Sequence, residues 1–315
     1  MPNRVFDQPY GSFDPRFYPS VPSQTFLSAW LVTGDETYAD SARRQLAYAR
    51  TRENLDHLVL YPDGTKIGRM AQAEQILGYF VAWRTLNDLK YLRWADDALS
   101  GLLKLPRSPV VWRGRTFSLY HYLYAPASPY RPDPSIRIDP NQDANLGLVF
   151  TLLYHTPESA YYHDGNAAAR AREELDAVVA VQASSGALPV TQDSLDEPDT
   201  LYGSWALMFL HWANQYWQDE SYEAALKRGA MWLDQYSNGN SVHFYPRRVE
   251  GPAPIYELWE RLPLISRYGT TTGALQEAID TGTAALVDAK GPSGGWATPV
   301  ADQILLGVRQ DVGRW

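Results

Sequence analysis

The sequence contains no cysteine, and only four Met and six His among its 315 residues. Without thiols there is no disulfide, thiolate nucleophile, Fe–S cluster or Cys-type zinc site. The compartment stays open on this ground, since secreted proteins can also lack Cys. The six His are scattered without metal-ligand spacing, so no cofactor is expected, although a carboxylate Ca²⁺ site stays open. Long apolar runs are missing too. The stretch Gly203 to Ala213 is too short and interrupted to span a bilayer, which needs about 20 residues. The opening residues MPNRVFD carry no apolar segment of a secretory leader, so a cytoplasmic chain is expected, with a mature secreted domain as the alternative. Basic charge is in deficit, with 28 Lys+Arg against 36 Asp+Glu and a net charge of −8, which disfavours nucleic acid as a partner. Phosphate-cradling Gly-rich loops, HExxH and GxSxG are absent.

Aromatic residues are abundant: 11 Trp, 21 Tyr and 9 Phe. The 45% hydrophobic and 20% charged content is that of a soluble globular protein. The length allows two domains or one large one. No break in composition marks a boundary, so a single domain over 1–315 is expected.

The pattern along the chain is helical and recurrent. Gln24 to Thr33 is an apolar helix stopping at Gly34-Asp35, and Thr37 to Arg50 is an amphipathic helix. The pairing returns in Gly78 to Lys104, in Gly147 to Gln182 and in Trp205 to Tyr236. A looser final pair covers Tyr256 to Arg267 and Thr271 to Ala289. The first helix of each pair is apolar nearly all round and predicts burial; the second predicts one wet face. The expected architecture is all-α, a double ring of helical hairpins with an inner and an outer layer. Long linkers (Leu58 to Arg69, Pro106 to Pro140, Ser184 to Leu201, Asn238 to Pro254) are rich in Pro, Tyr, Asp and Arg, with β-like pieces such as Val110 to Tyr124. Structured loops of this length on a regular framework usually carry function.

The phrases LSAWLVTGDETYADSARRQL and WANQYWQDESYEAALKRGAMWL resemble the six-hairpin (α/α)-toroid enzymes that act on carbohydrates. These include glycoside hydrolases, polysaccharide lyases and the C-terminal domain of glucuronyl C5-epimerases. The stretch DGTKIGRMAQAEQILGYFVAWRTLND, Asp63 to Asp88, is similar to the epimerase phrase in which Met-Ala-Gln opens a helix near the site. The resemblance implies an (α/α)6-type barrel whose cleft lies where the inner helices begin. It also implies an oligosaccharide or other small-molecule substrate, with no membrane or nucleic-acid partner.

Five polar clusters fall near those helix starts. The first is Tyr61, Asp63, Lys66, Arg69, Gln72, Glu74 and Gln75, where a β-turn at Pro62-Asp63-Gly64 competes with a functional role. The second is Trp112, Arg113, Arg115, Tyr120, His121, Tyr122 and Tyr124. An extended strand turns its three Tyr to one face and His121 to the other, and Arg can pair bidentately with a sugar carboxylate. Tyrosines that merely cover the helices are the alternative. The third is Arg137, Asp139, Asn141, Gln142, Asp143 and Asn145. Asp139 reads as the N-cap before Pro140. The next polar groups enter an apolar helix, where burial is costly unless they bond each other or a ligand. The fourth holds Asp196, Glu197, Asp199, Tyr202, Ser204 and Trp205, with Asp199 doubling as a cap candidate. The fifth is His243, Tyr245, Arg247, Arg248, Tyr256, Trp259, Glu260, Arg261, Arg267 and Tyr268.

From these, a lyase or epimerase acting on a uronic-acid glycan is the first expectation. Abstraction of the C5 proton needs a base, an acid and a stabilised enolate. Tyr120, His121, Tyr122, Asn141, Gln142, Asp143 and Asp63 are the candidate catalytic residues. Tyr61, Gln72, Trp112, Arg115, Tyr124, Asp199, Tyr202, Tyr245, Arg247, Trp259 and Arg261 are the candidate substrate contacts. The second expectation is a glycoside hydrolase with two carboxylates drawn from Asp63, Asp139, Asp143, Asp199 and Glu260. They would stand about 6.5–9.5 Å apart if inverting or about 5–5.5 Å if retaining. Terpenoid dehydratase, isomerase or cyclase chemistry in an apolar toroid cavity, and a non-catalytic glycan-binding toroid, complete the alternatives. The lack of Cys counts against the linalool dehydratase-isomerase version.

Overall fold

The computed structural model describes residues 18–195, 200–237 and 267–268. Among the described residues, eight long helices stand in four antiparallel hairpins: α1 (Val21–Thr33) with α2 (Glu36–Thr51), α3 (Arg69–Leu86) with α4 (Leu89–Lys104), α5 (Pro140–Tyr154) with α6 (Gly165–Val181), and α7 (Thr200–Trp217) with α8 (Glu220–Ser237). The sequence pairs reappear as these hairpins. The final pair, Tyr256 to Arg267 and Thr271 to Ala289, lies outside the described residues except for Arg267.

Each hairpin closes by the same device. A residue with positive φ reverses the chain, at Gly34 (69°), Asn87 (52°), His163 (55°) and Gln218 (51°). An Asp follows and caps the outer helix. Asp35 accepts from Thr37 N (2.9 Å), Asp88 from Lys90 N (3.1 Å), Asp164 from Ala167 N (2.8 Å) and Asp219 from Ser221 N (2.9 Å). In three of the hairpins the left-handed residue follows directly on the first helix and the Asp starts the next; between α5, which ends at Tyr154, and α6, His163 instead sits at the end of a longer loop, just before Asp164.

The odd-numbered helices form the inner layer. α1 stands beside α3, α3 beside α5 and α5 beside α7, while each even-numbered helix backs its own partner. All of α5 from Pro140 to Leu153 is buried, and so is α3 from Arg69 to Trp83. Close approach is bought with glycine: a Cβ on Gly147 would lie 2.6 Å from Leu175 of α6.

Among the described residues, four short strands occupy the loops. β1 (Ile67–Gly68) pairs antiparallel with β4 (Leu123–Tyr124), and β2 (Arg107–Trp112) with β3 (Arg115–Tyr120). Arg113 and Gly114, both at positive φ, make the two-residue turn of the β2–β3 hairpin. This ribbon lies against α6: Trp112 donates to Ala180 O, Arg107 pairs with Glu173, and Arg115 with Asp176. The β1–β4 pair instead leads into the start of α3. The expected single strand through Tyr124 is therefore broken after Tyr120, and its tyrosines do not share one face. Tyr120 and Tyr124 are buried, while Tyr122 is 39% exposed. No helix among the described residues is long and apolar enough to cross a membrane.

Candidate functional site at the N-terminal ends of the inner helices

The start of α3 lies against the start of α5, and their polar residues meet in two layers. The inner layer centres on Arg69, which is 1% exposed. Its Nε donates to Gln142 Oε1 (3.1 Å) and its Nη1 to Tyr120 O (2.7 Å). Nη1 also stands 2.8 Å from Asp143 Oδ1, and Nη2 3.8 Å from Asp139 Oδ2. Its backbone N–H donates to Tyr122 O (3.2 Å). Burial opposes its charge, while Asp143, Asp139 and Glu174 hold the proton on. Burial likewise raises Asp139, to about 6 against the pull of Arg69, and raises Asp143 and Glu174.

Asp139 precedes α5 as expected, but its side chain does not cap it. The bond runs the other way: Asp143 Oδ2 accepts the Asp139 N–H at 2.7 Å. Arg69 draws the Asp139 carboxylate sideways, and Asp143, one turn on, takes over the free N–H.

The outer layer is a group of tyrosines around one acid. Tyr61, Tyr122, Tyr202 and Glu74 all lie close enough to Tyr18 to act on it electrostatically, and Tyr122 also acts on Tyr61. Glu74 is buried, and Asn145 Nδ2 donates to its Oε1 at 2.9 Å. Ser20 Oγ donates to the Glu74 carbonyl (2.8 Å), which ties the lead-in of α1 to α3. Gly68 allows Tyr61 to lie flat on β1, since a Cβ there would come within 2.6 Å of Tyr61 Oη. Burial raises the phenols of Tyr18 and Tyr61, so both stay protonated hydrogen-bond donors at neutral pH.

Of the residues expected from the sequence, Tyr61, Tyr122 and Tyr202 join the outer layer, and Gln142 and Asp143 join the inner one. Asn141 is buried in the first turn of α5. Tyr120 is wholly buried in the wall, and Tyr124 donates to Pro106 O (2.9 Å). His121 holds Asp133 O with Nδ1 (2.7 Å) and Ser108 Oγ with Nε2 (2.8 Å). Both nitrogens thus bind the loop, and burial lowers the ring's basicity. Gln72 clamps both backbone groups of Val59. Asp63 sits on an exposed turn and accepts from Thr65, which holds its carboxyl below the usual range. The turn at Pro62-Asp63-Gly64 is thus the role the structure displays. Trp112 and Arg115 are bound to α6 instead, at Ala180 O and Asp176. Asp199, Tyr245, Arg247, Trp259 and Arg261 lie outside the described residues.

Arg69, Glu74 and Asn145 stood in the polar clusters but not among the candidate catalytic or substrate-contact residues, Glu74 because it resembled an ordinary polar helix start. Two further participants lay in no cluster. Tyr18 lies ahead of α1 and carries no local signal. Glu174 resembled a solvated charge, yet it falls on the stripe Ala167, Ala171, Glu174, Val178, Val181, the buried face of α6. That spacing is the signal that would have found it.

A separate cavity of about 670 Å³ lies at the opposite end of α7, lined by His211, Asn214, Gln215, Glu223, Lys227 and Arg267 among others. It contains no other residue of the five clusters. Among the described residues no group of three or more His, Asp or Glu is arranged to hold a metal ion.

This architecture is that of (α/α)6 toroids. Cellobiose 2-epimerase from Bacillus thermoamylovorans B4167 is 12% identical, with 94% of this chain and 87% of that one covered and a TM-score of 0.67. A family 76 glycoside hydrolase from a bovine Bacteroides thetaiotaomicron strain is 12% identical, covering 98% and 72%, with a TM-score of 0.67. A polysaccharide lyase is 10% identical, covering 94% and 90%, with a TM-score of 0.56. No protein-family model matches the chain, and no curated protein matches it in sequence. At these identities the likeness defines the fold.

Proposed function

We propose that the chain is a carbohydrate-active enzyme that moves a proton at a sugar carbon next to a carbonyl or carboxylate, as an epimerase or lyase does. The observation that carries this reading is the composition of the outer layer: one carboxylate, Glu74, among four tyrosines, two of them kept protonated by burial. Proton abstraction needs one base and one acid. Glu74, oriented by Asn145, takes the proton from carbon, and a phenol donates to the oxygen on which the enolate charge develops. Returning the proton on the opposite face gives an epimer; loss of the β-oxygen gives an unsaturated product. The solved epimerase and lyase of the same fold support this reading by analogy. A uronate substrate further needs a cation for its carboxylate. Arg69 is committed to Asp143, Gln142 and Tyr120, so Arg247 and Arg261 are the candidates for that contact.

A glycoside hydrolase is the second reading, favoured by the acid-rich run Asp196, Glu197, Asp199 that precedes α7 in the sequence and offers candidates for a second carboxylate.

The test is incubation in D₂O with neutral and uronate oligosaccharides, read by mass spectrometry. Deuterium in uncleaved sugar or unsaturated fragments support proton transfer, and Glu74→Gln should lower the rate about 10²- to 10⁴-fold. Water-added fragments would move the assignment to the hydrolase. Unchanged glycans across the panel would overturn both.

A further inference from the structure

Glu174 belongs to the outer helix α6, where its neighbours behave as surface acids: Glu173 takes Arg107 Nη1 (2.8 Å) and Asp176 takes Arg115 Nη2 (3.2 Å). Glu174 turns inward and has no exposed surface. Neither of its carboxyl oxygens meets an N–H or O–H donor among the described residues. What it does meet is Asp143 of α5, carboxyl against carboxyl. Two ionised carboxylates have only acceptors and cannot bond; one proton between them makes one a donor. Charge counting gives the same answer. Asp139, Asp143 and Glu174 surround a single buried guanidinium, Arg69, and burying two uncompensated negative charges is prohibitive.

We propose that Asp143 and Glu174 share a proton, and that this pair, its charge cut from two to one, is a positioning element which, through Arg69, holds Gln142 and Tyr122 at the start of the inner helices. The groups facing the pair from the surrounding elements are Arg69 (α3), Asp139 (α5), Arg107 (β2), Tyr120 (β3) and Tyr124 (β4). Glu173 and Arg170 of α6 complete them; Arg170 lies over the Tyr120 ring. Burial and the charge of Asp143 raise Glu174, opposed by Arg69 and Arg107. A carboxyl raised on folding stabilises fully below the ordinary carboxylate range and loses that contribution as pH rises through its raised value. At alkaline pH the pair ionises, Arg69 faces excess negative charge, and its hold on Gln142 and Tyr122 slackens.

The proton claim stands on the cluster alone and not on the reaction proposed above, so the two can fail separately. Melting midpoints of wild type and Glu174→Gln would be measured from about pH 5 to about pH 9. The wild type should lose at least about 2–4 °C more than the variant over that span, because Gln carries the neutral state at every pH. Infrared spectra of the wild type near neutral pH should show a protonated carboxyl band that Glu174→Gln and Asp143→Asn remove. Parallel melting profiles, or no such band in the wild type, would overturn the shared proton; the wild-type spectrum decides even where a variant fails to fold. For the positioning claim, the alkaline limb of the D₂O exchange should move to higher pH in Glu174→Gln; an unmoved limb beside a lost band would overturn that half.

Discussion

Two buried acids flank α3, and their environments are opposite. Glu53, after α2, is met by three donors: Tyr79 Oη (2.7 Å), Gln75 Nε2 (3.0 Å) and Arg50 Nη1 (2.7 Å). Burial still raises its carboxyl, but every one of those partners pulls it back. Glu174, on the other side, has a second carboxyl where Glu53 has a tyrosine, an amide and a guanidinium. The first arrangement surrounds the acid with donors, joins α2 to α3, and favours an ionised acid. The second is over-supplied with acid and needs a proton. It also lies against Asp143, at the start of α5. Buried charge that is balanced serves the frame, while imbalance is tolerated where the inner helices open towards the candidate site.

The largest way to break this contrast is to remove Arg69. Arg69→Met strands Asp139 and Asp143, and a loss of about 3–5 kcal/mol is expected in urea unfolding. The loss should shrink in acid, where the stranded carboxyls protonate; an equal loss on both sides of Asp139's value of about 6 would refute the charge balance described here. Next comes Tyr79→Phe, which takes one donor from Glu53. About 1–3 kcal/mol should be lost, and calorimetry near neutral pH checks it. Because Glu53 keeps Gln75 and Arg50, this loss should grow as pH rises out of the acid range, opposite in trend to a wild-type profile dominated by Glu174. The smallest effect serves as a control remote from both acids. Asp164→Ala removes only the cap of α6, at about 1 kcal/mol, with no change in pH dependence near neutrality.

Much of this molecule was legible before any coordinates. The four hairpins were readable because capping and turn signals act within a few residues: Gly34-Asp35, Asn87-Asp88 and Gln218-Asp219 each combine a reversal with a helix start. The polar entry into α5 was readable because four polar groups on an apolar helix demand partners. The β2–β3 tyrosines misled because alternation holds only while a strand continues, and this one turns after Tyr120 to let Leu123 and Tyr124 pair with β1. His121 and Gln72 misled because a side chain that clamps a loop has the same chemistry as one that binds a ligand.

By itself, then, the sequence determined the helical hairpins, their inner and outer layers and the end of the molecule where polar groups collect, since all of these follow from periodicity and local hydrogen bonding. Only the tertiary structure decided the partners. Arg69 meets Gln142 across 73 residues, Asn145 meets Glu74 across 71, and Glu174 reaches Asp143 from another layer. Such pairings depend on how helices stack and how far they rotate about their axes, and no local signal records that. A buried acid is therefore told apart from a solvated one only when the helix opposite it is in place.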